Sequence, residues 1–310
     1  MLSIVLPSYN ESKNIQNAYI EIKEVLSKEK IPFELVYVND GSKDDTWTKI
    51  EEIIEKGKAE LKQSRIRGVS FSRNFGKEAA ILAGLANATG EACVVMDCDM
   101  QHPPETLVEM YRLWQEGYEV VEGVKRTRGK ESLVYKSSAK LFYRLMSKAT
   151  GIDMSRASDF KLMDRKVVKS ILSMPERNMF FRGLSSWVGF KKTEVEFDVR
   201  EREFGTSKWS KWSLVKYAVK NIAAFSTVPM QLVTIAGALT LLGAVILGIQ
   251  TLIRYFSGHA VQGFTTVILL LLIIGSVIMM SLGIMGYYLA KIYEEVKRRP
   301  VYIISEVKES

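Results

Sequence analysis

Charged residues are missing from two long stretches of this 310-residue chain: no Asp, Glu, Lys or Arg occurs from Asn221 to Ile253, nor from Tyr255 to Ala290. Each gap exceeds the roughly 20 apolar residues that cross a bilayer. We read two transmembrane helices, at about 229–254 and 264–289. A buried helical hairpin of a soluble core is the alternative, but runs this long and apolar have little other use. Cysteine and histidine are almost lacking, with two of each. Cys93, Cys98, His102 and His259 form no disulfide framework and no metal-ligand spacing, and reduced thiols are the default. The start, Met1-Leu2-Ser3-Ile4-Val5-Leu6-Pro7, lacks the basic region and long apolar core of a signal peptide and reads as a strand.

The charges that are present are arranged unevenly. Lys208, Lys211, Lys216 and Lys220 precede the first apolar run, and Lys291, Lys297, Arg298 and Arg299 follow the second, whereas Tyr255–Gly263 holds neither Lys nor Arg. The positive-inside rule puts the N-terminal domain and the C-terminal end in the cytoplasm, and so predicts a multi-pass protein of the inner membrane. The net charge of +8 suits an anionic leaflet. Nucleic acid would suit the charge but not the two spans. The predicted organisation is a globular domain at 1–207, a juxtamembrane amphipathic helix at 208–227, a transmembrane hairpin at 228–290 and a tail at 291–310.

Within 1–207 the pattern alternates. Apolar strands at Ser3–Leu6, Phe33–Val38, Val69–Phe71, Ala92–Met96 and about 119–123 are separated by helical patterns at about 12–28, 45–62, 76–88 and 104–116. Such a series predicts an α/β fold with a mainly parallel, Rossmann-like sheet. A further strand is expected at Thr193–Val199. The helical pattern at about 133–149 sets Lys136, Lys140, Arg144 and Lys148 four apart, with Leu141, Leu145 and Met146 off that stripe. It reads equally as an interfacial helix or as a surface helix covering the sheet.

Polar groups gather at the ends of these strands: Asn10 and Glu11, Asp40, Arg73 and Asn74, then Asp97 and Asp99. Open α/β sheets bind ligands at the carboxyl ends of their strands. If Asp97-Cys98-Asp99 is extended, both carboxylates fall on one side, a pair of hard oxygens suited to Mg²⁺ or Mn²⁺ and hence to a diphosphate. A solvated turn closed by Pro103-Pro104 is the other reading.

Taken together, Pro7-Ser8-Tyr9-Asn10-Glu11, Val38-Asn39-Asp40-Gly41-Ser42, Phe71–Glu78, Asp97-Cys98-Asp99-Met100-Gln101, Ser158–Arg165 and Arg202–Lys208 resemble the family 2 glycosyltransferases of the GT-A fold. Within them the chain is similar to the bacterial polyprenyl-phosphate glycosyltransferases related to dolichol-phosphate mannose synthase. The resemblance implies inverting transfer of a hexose, glucose first, from a UDP-sugar to undecaprenyl phosphate. It implies a nucleotide-sugar pocket lined by Pro7, Tyr9, Asn10, Glu11, Asp40, Lys77 and Asp97, and a divalent metal on Asp97, Asp99 and Gln101. Phosphate or acceptor contacts would come from Arg126, Arg128, Arg182, Arg202, Ser207 and Lys208. Asp99 and Asp159 are the implied catalytic residues, and a homotetramer is the implied assembly. Asp159 could be a base, a positioning acid or a helix N-cap. A processive polysaccharide synthase is disfavoured, because no Gln-x-x-Arg-Trp motif follows the acceptor acid. A membrane-anchored sensor without turnover is disfavoured by the full set of acids and phosphate-binding groups.

Overall fold

A computed structural model describes residues 1–61, 63–126, 158–174, 176, 180–200, 228–258 and 263–310. The expected interfacial helix at 133–149 and the juxtamembrane helix at 208–227 lie outside these residues. In chain order the first elements are β1 (Leu2–Ser8), α1 (Ile15–Lys28), β2 (Phe33–Asn39), α2 (Thr46–Glu60), β3 (Arg65–Phe71), α3 (Lys77–Asn87), β4 (Ala92–Val95), α4 (Glu105–Gln115) and β5 (Val120–Lys125). They are followed by β6 (Lys161–Asp164), α5 (Arg165–Leu172), α6 (Phe181–Trp187), β7 (Lys192–Phe197), α7 (Val228–Phe256), α8 (Phe264–Val296) and β8 (Ile304–Glu309).

One eight-stranded sheet runs in the order β7-β5-β6-β4-β1-β2-β3-β8. The pairs β1–β2, β1–β4, β2–β3 and β5–β7 are parallel. Leu2, Ile4 and Leu6 pack with Ile15, Ile22 and Leu26 of α1 and Ile50 and Ile53 of α2. Val5, Val36 and Val38 face the other way, onto Ala80, Ala83 and Leu85 of α3. A strand covered on both faces needs an apolar residue at nearly every position, which is why Ile4-Val5-Leu6 and Leu35-Val36-Tyr37-Val38 are unbroken runs. Gly84 lets α3 lie close: a Cβ there would stand 2.2 Å from a Val5 methyl.

Two strands depart from the simple alternating series. The short β6 inserts antiparallel between β4 and β5. The final residues, read from the sequence as a tail, carry β8, which pairs antiparallel with β3 and closes that edge of the sheet. Its side chains are exposed, so no core pattern announces it; backbone pairing with the open edge of β3 provides its partner.

The chain divides into two compact units, 1–210 with 300–310, and 211–299. In the second unit, α7 and α8 are long and apolar enough to cross a membrane, and Leu239, Leu241 and Leu271 are each more than three-fifths exposed. Apolar helices bare to this degree associate with lipid. Helix α8 runs past the expected end at 289 because its last turns turn amphipathic: Lys291 pairs with Glu294 at 2.7 Å and lies over the Tyr287 ring.

Candidate active site

The loops after β1 and β2 brace each other. Asn10, with φ of 55°, donates its N–H to Ser42 Oγ at 3.0 Å and accepts the Lys43 N–H on Oδ1 at 2.9 Å. Glu11 donates its N–H to Thr46 Oγ1 and accepts from Asn14 Nδ2 at 2.6 Å. Tyr9 is exposed at the rim, and Pro7 lies against Cys98 through its carbonyl oxygen. Asp40 is buried and accepts the N–H groups of Phe75 at 2.6 Å and Gly76 at 2.9 Å. Burial raises its pKa, and these amides and Arg73 act against the rise. Gly41, at φ of +61°, passes so close that a Cβ would stand 2.3 Å from the Arg73 carbonyl carbon.

This clasp delivers α3, whose first residue carries the central cation. Lys77 Nζ lies 2.6 Å from Asp97 Oδ1, 2.9 Å from Asp97 Oδ2 and 3.1 Å from Asp159 Oδ2. Arg182, on α6, grips Asp159 from the other side, Nε to Oδ1 at 2.7 Å and Nη2 to Oδ2 at 2.9 Å. Burial opposes ionisation of Asp159, but Lys77 and Arg182 override it and hold the carboxyl far below the usual range. Asp97 behaves alike: burial opposes its charge, and Lys77 with His102 outweighs burial, so its pKa is lowered. Lys77 is itself desolvated, yet Asp97 and Asp159 raise its pKa.

The aspartate pair is not extended. β4 ends at Val95, and the chain turns at Cys98–Asp99, with Met100 at φ of 55°. Asp99 Oδ1 accepts the Gln101 N–H at 3.2 Å, a local turn that competes with strand geometry. Cys98 points inward, its Sγ 3.0 Å from Ser8 Oγ. Among the described residues no three His, Cys, Asp or Glu side chains gather into a metal cage. Two carboxylates and an amide are nonetheless a fitting donor set for Mg²⁺ or Mn²⁺, which keep water and take the remaining oxygens from a substrate phosphate.

Asp159 does not cap a helix. It precedes β6, and Asp164 is the N-cap of α5, accepting the Lys166 N–H at 2.9 Å. Arg126, at the end of β5, pairs with Glu196 at 3.7 Å and Asp198 at 3.4 Å, apart from the Asp159 cluster in its described contacts. Arg128, Arg202, Ser207 and Lys208 lie outside the described residues.

Further side chains support the site. Glu78 accepts the Phe181 N–H at 3.0 Å, tying α6 to α3. Burial, with repulsion from Asp159, pushes its pKa up to about 7. Behind Asp159, the buried Lys161 donates to Glu122 Oε1 and to Ser185 Oγ of α6, both at 2.7 Å. Charged residues inside the apolar runs Val120–Val124 and Phe160–Met163 were the available signal for that pair.

Residues 3–172 match Glycosyl transferase family 2. An uncharacterised glycosyltransferase of Synechocystis is 39% identical over 308 residues, 99% of this chain and 95% of the relative. The prophage bactoprenol glucosyl transferase homolog of Escherichia coli K12 is 35% identical, covering 99% of both chains. The corresponding SfII prophage-derived bactoprenol glucosyl transferase of Shigella flexneri is 34% identical over 98% of this chain and 97% of its own. Among solved structures, a mycobacterial protein shares the fold at a TM-score of 0.50, with 18% identity over 72% of each chain. With the family match spanning the strand ends that carry Asp40, Lys77, Asp97 and Asp159, this chain belongs to glycosyl transferase family 2.

Proposed function

We propose that this glycosyltransferase moves a hexose, glucose first, from a UDP-sugar to a polyprenyl phosphate at the cytoplasmic membrane face, with inversion at the anomeric carbon. The observation that carries the reading is end-to-end similarity to bactoprenol glucosyl transferases at 34–35% identity, joined to a cluster of acids and cations at the strand ends. The apolar helices α7 and α8 provide the route to a lipid acceptor. Their basic flanks, and the return of the chain into the sheet as β8, support two crossings with both flanks on the cytoplasmic side.

The side chains divide the work. Tyr9 offers a ring face to the base, and Glu11 accepts from the base or ribose. Asp97, Asp99 and Gln101 are the residues to hold a divalent cation, which when bound supplies charge neutralisation for the departing diphosphate. Lys77 adds a fixed positive charge beside Asp97, where the diphosphate is expected. The acceptor phosphate brings its own nucleophile: its second pKa lies near 6, so it is largely ionised at neutral pH. A strong base is therefore unnecessary. Asp159, held ionised by Arg182 and Lys77, is a weak base, and its part is to orient the sugar and the Arg182 guanidinium for the incoming phosphate.

The experiment is transfer of labelled sugar from a panel of nucleotide sugars into butanol-extractable lipid, with undecaprenyl phosphate and Mg²⁺ or Mn²⁺. Wild type should label lipid from UDP-glucose, and Asp99→Ala should not. Equal, background labelling by both proteins with every donor sinks the proposal.

A further inference from the structure

The C-terminal strand touches the loop that builds the donor side of the site. Loop Ser72–Gly76 joins β3 to α3 and is held at three places. Its Ser72 N–H donates to Ile303 O at 3.0 Å. Its Phe75 and Gly76 N–H groups close on Asp40. Between these points runs a short aromatic chain: Tyr302 stacks on Phe71 with centroids 5.1 Å apart and planes at 10°, and Phe71 meets Phe75 edge-on at 5.7 Å. The Arg73 guanidinium lies 4.1 Å from the Phe75 ring centroid.

The rest of the segment pins itself to β3 and α2. Ser305 Oγ donates to Ser70 O at 3.0 Å, Trp47 Nε1 donates to Glu306 at 3.1 Å, and Arg67 pairs with Glu309 at 2.7 Å. Ser310 N–H donates to Ile66 O at 2.9 Å. Register shifts between Ser70 and Phe71, where the strand passes into the aromatic contact. The ladder thus fixes the segment, while Tyr302 and Ile303 act on the loop. Without them the loop would keep, among the described hydrogen bonds to residues outside the loop and α3, its Asp40 clasp alone, and Lys77 follows that clasp directly.

We propose that Val301–Ser310 is a positioning element of the donor site: Tyr302, through Phe71 and Phe75, holds loop Ser72–Gly76 against Asp40 and so sets Lys77 toward Asp97 and Asp159. The role rests on the reading of this side of the site as the nucleotide-sugar pocket. Tyr302 is a positioning residue and not a substrate contact. It acts through the loop on Lys77 beside Asp97, while Asp159 keeps its two-point grip from Arg182, so donor affinity depends on Tyr302 and the chemical step and acceptor, which rest on the Arg182–Asp159 pair, do not.

The test uses the full-length protein with Mn²⁺ and UDP as the probe, comparing wild type, Tyr302→Leu, Tyr302→Phe and the far-end variant Lys308→Ala. Tyr302→Leu should raise the UDP Kd and the donor KM about tenfold, with kcat and acceptor KM within about twofold of wild type. Exchange of the Phe75 and Gly76 amides should quicken in the same variant. Tyr302→Phe should restore both properties, and Lys308→Ala should leave both unchanged. A wild type that binds no UDP overturns the donor reading itself. Tyr302→Leu that matches a UDP-binding wild type in affinity and amide protection overturns the positioning role alone, as does a variant that loses kcat and thermal stability together at unchanged Kd.

Discussion

Arg182 holds Asp159 through both carboxylate oxygens, at 2.7 and 2.9 Å, from the second position of a seven-residue helix. A planar fork on a carboxylate fixes direction as well as charge. Arg182→Ala should lower kcat about a hundredfold, the scale of removing one preorganised charged donor. Arg182→Lys should recover little, because it keeps the charge and loses the fork. In Arg182→Ala the Asp159 pKa rises toward the ordinary carboxylate range, which NMR titration of the carboxyl reads directly. An Asp159 pKa unchanged by the substitution would show that Arg182 does not hold its charge.

Asp99 is the cleaner probe of metal dependence, because Asp97 is already engaged by Lys77. Asp99→Asn keeps the acceptor for the Gln101 N–H and removes the charge. We expect activity to fall at least about a hundredfold, equivalent to roughly 2.7 kcal/mol of lost charge stabilisation. The Mn²⁺ concentration for half-maximal activity should rise, while thermal stability without metal stays near wild type. An unchanged metal titration would move the cation away from this turn.

Much of the fold was readable because the parallel strands are buried on both faces. Leu35–Val38 and Ala92–Met96 are apolar without interruption, and an acid follows each within two residues, Asp40 and Asp97, at the carboxyl edge of the parallel strands. β6 was not readable: four residues long, it carries a lysine whose burial depends on Glu122, a partner 39 residues away. β8 was not readable either: its side chains are exposed, and what holds it, the backbone ladder with β3 and polar ties to Trp47 and Arg67, comes from residues far away in the sequence. The site followed the same rule. Asp40, Asp97 and Asp159 stand out as polar residues beside apolar runs. The bend that takes Asp99 out of line, and the reach of Lys77 to two acids at once, depend on tertiary contacts that no local spacing encodes.

The buried pair Lys161–Glu122 supports α6 from below through Ser185. Both side chains are at most 5% exposed. Lys161→Met strands a buried carboxylate, and should cost about 3–5 kcal/mol. The double variant Lys161→Met with Glu122→Gln should recover much of that loss, because no unpaired charge remains. Thermal unfolding of the four proteins of this cycle checks the prediction, and additive losses would refute the pairing.

Glu78 gives a pH dependence whose direction is fixed by its surroundings. Burial and the nearby Asp159 raise its pKa from 4.5 to about 7, against the opposing pull of the Phe181 N–H, Arg182 and Lys77. The folded protein therefore keeps a proton that the unfolded chain releases between those two values. Stability from this group falls as pH rises through that window and levels off above it. Glu78→Gln cannot ionise, and its amide oxygen still accepts the Phe181 N–H. The Tm of Glu78→Gln should thus gain on wild type as pH is raised from about 5 to about 8, and the two should run parallel below about pH 4.5. Curves parallel across the whole range would mean that Glu78 ionises in the folded protein as freely as in the unfolded one, and that the tie between α3 and α6 does not bury it.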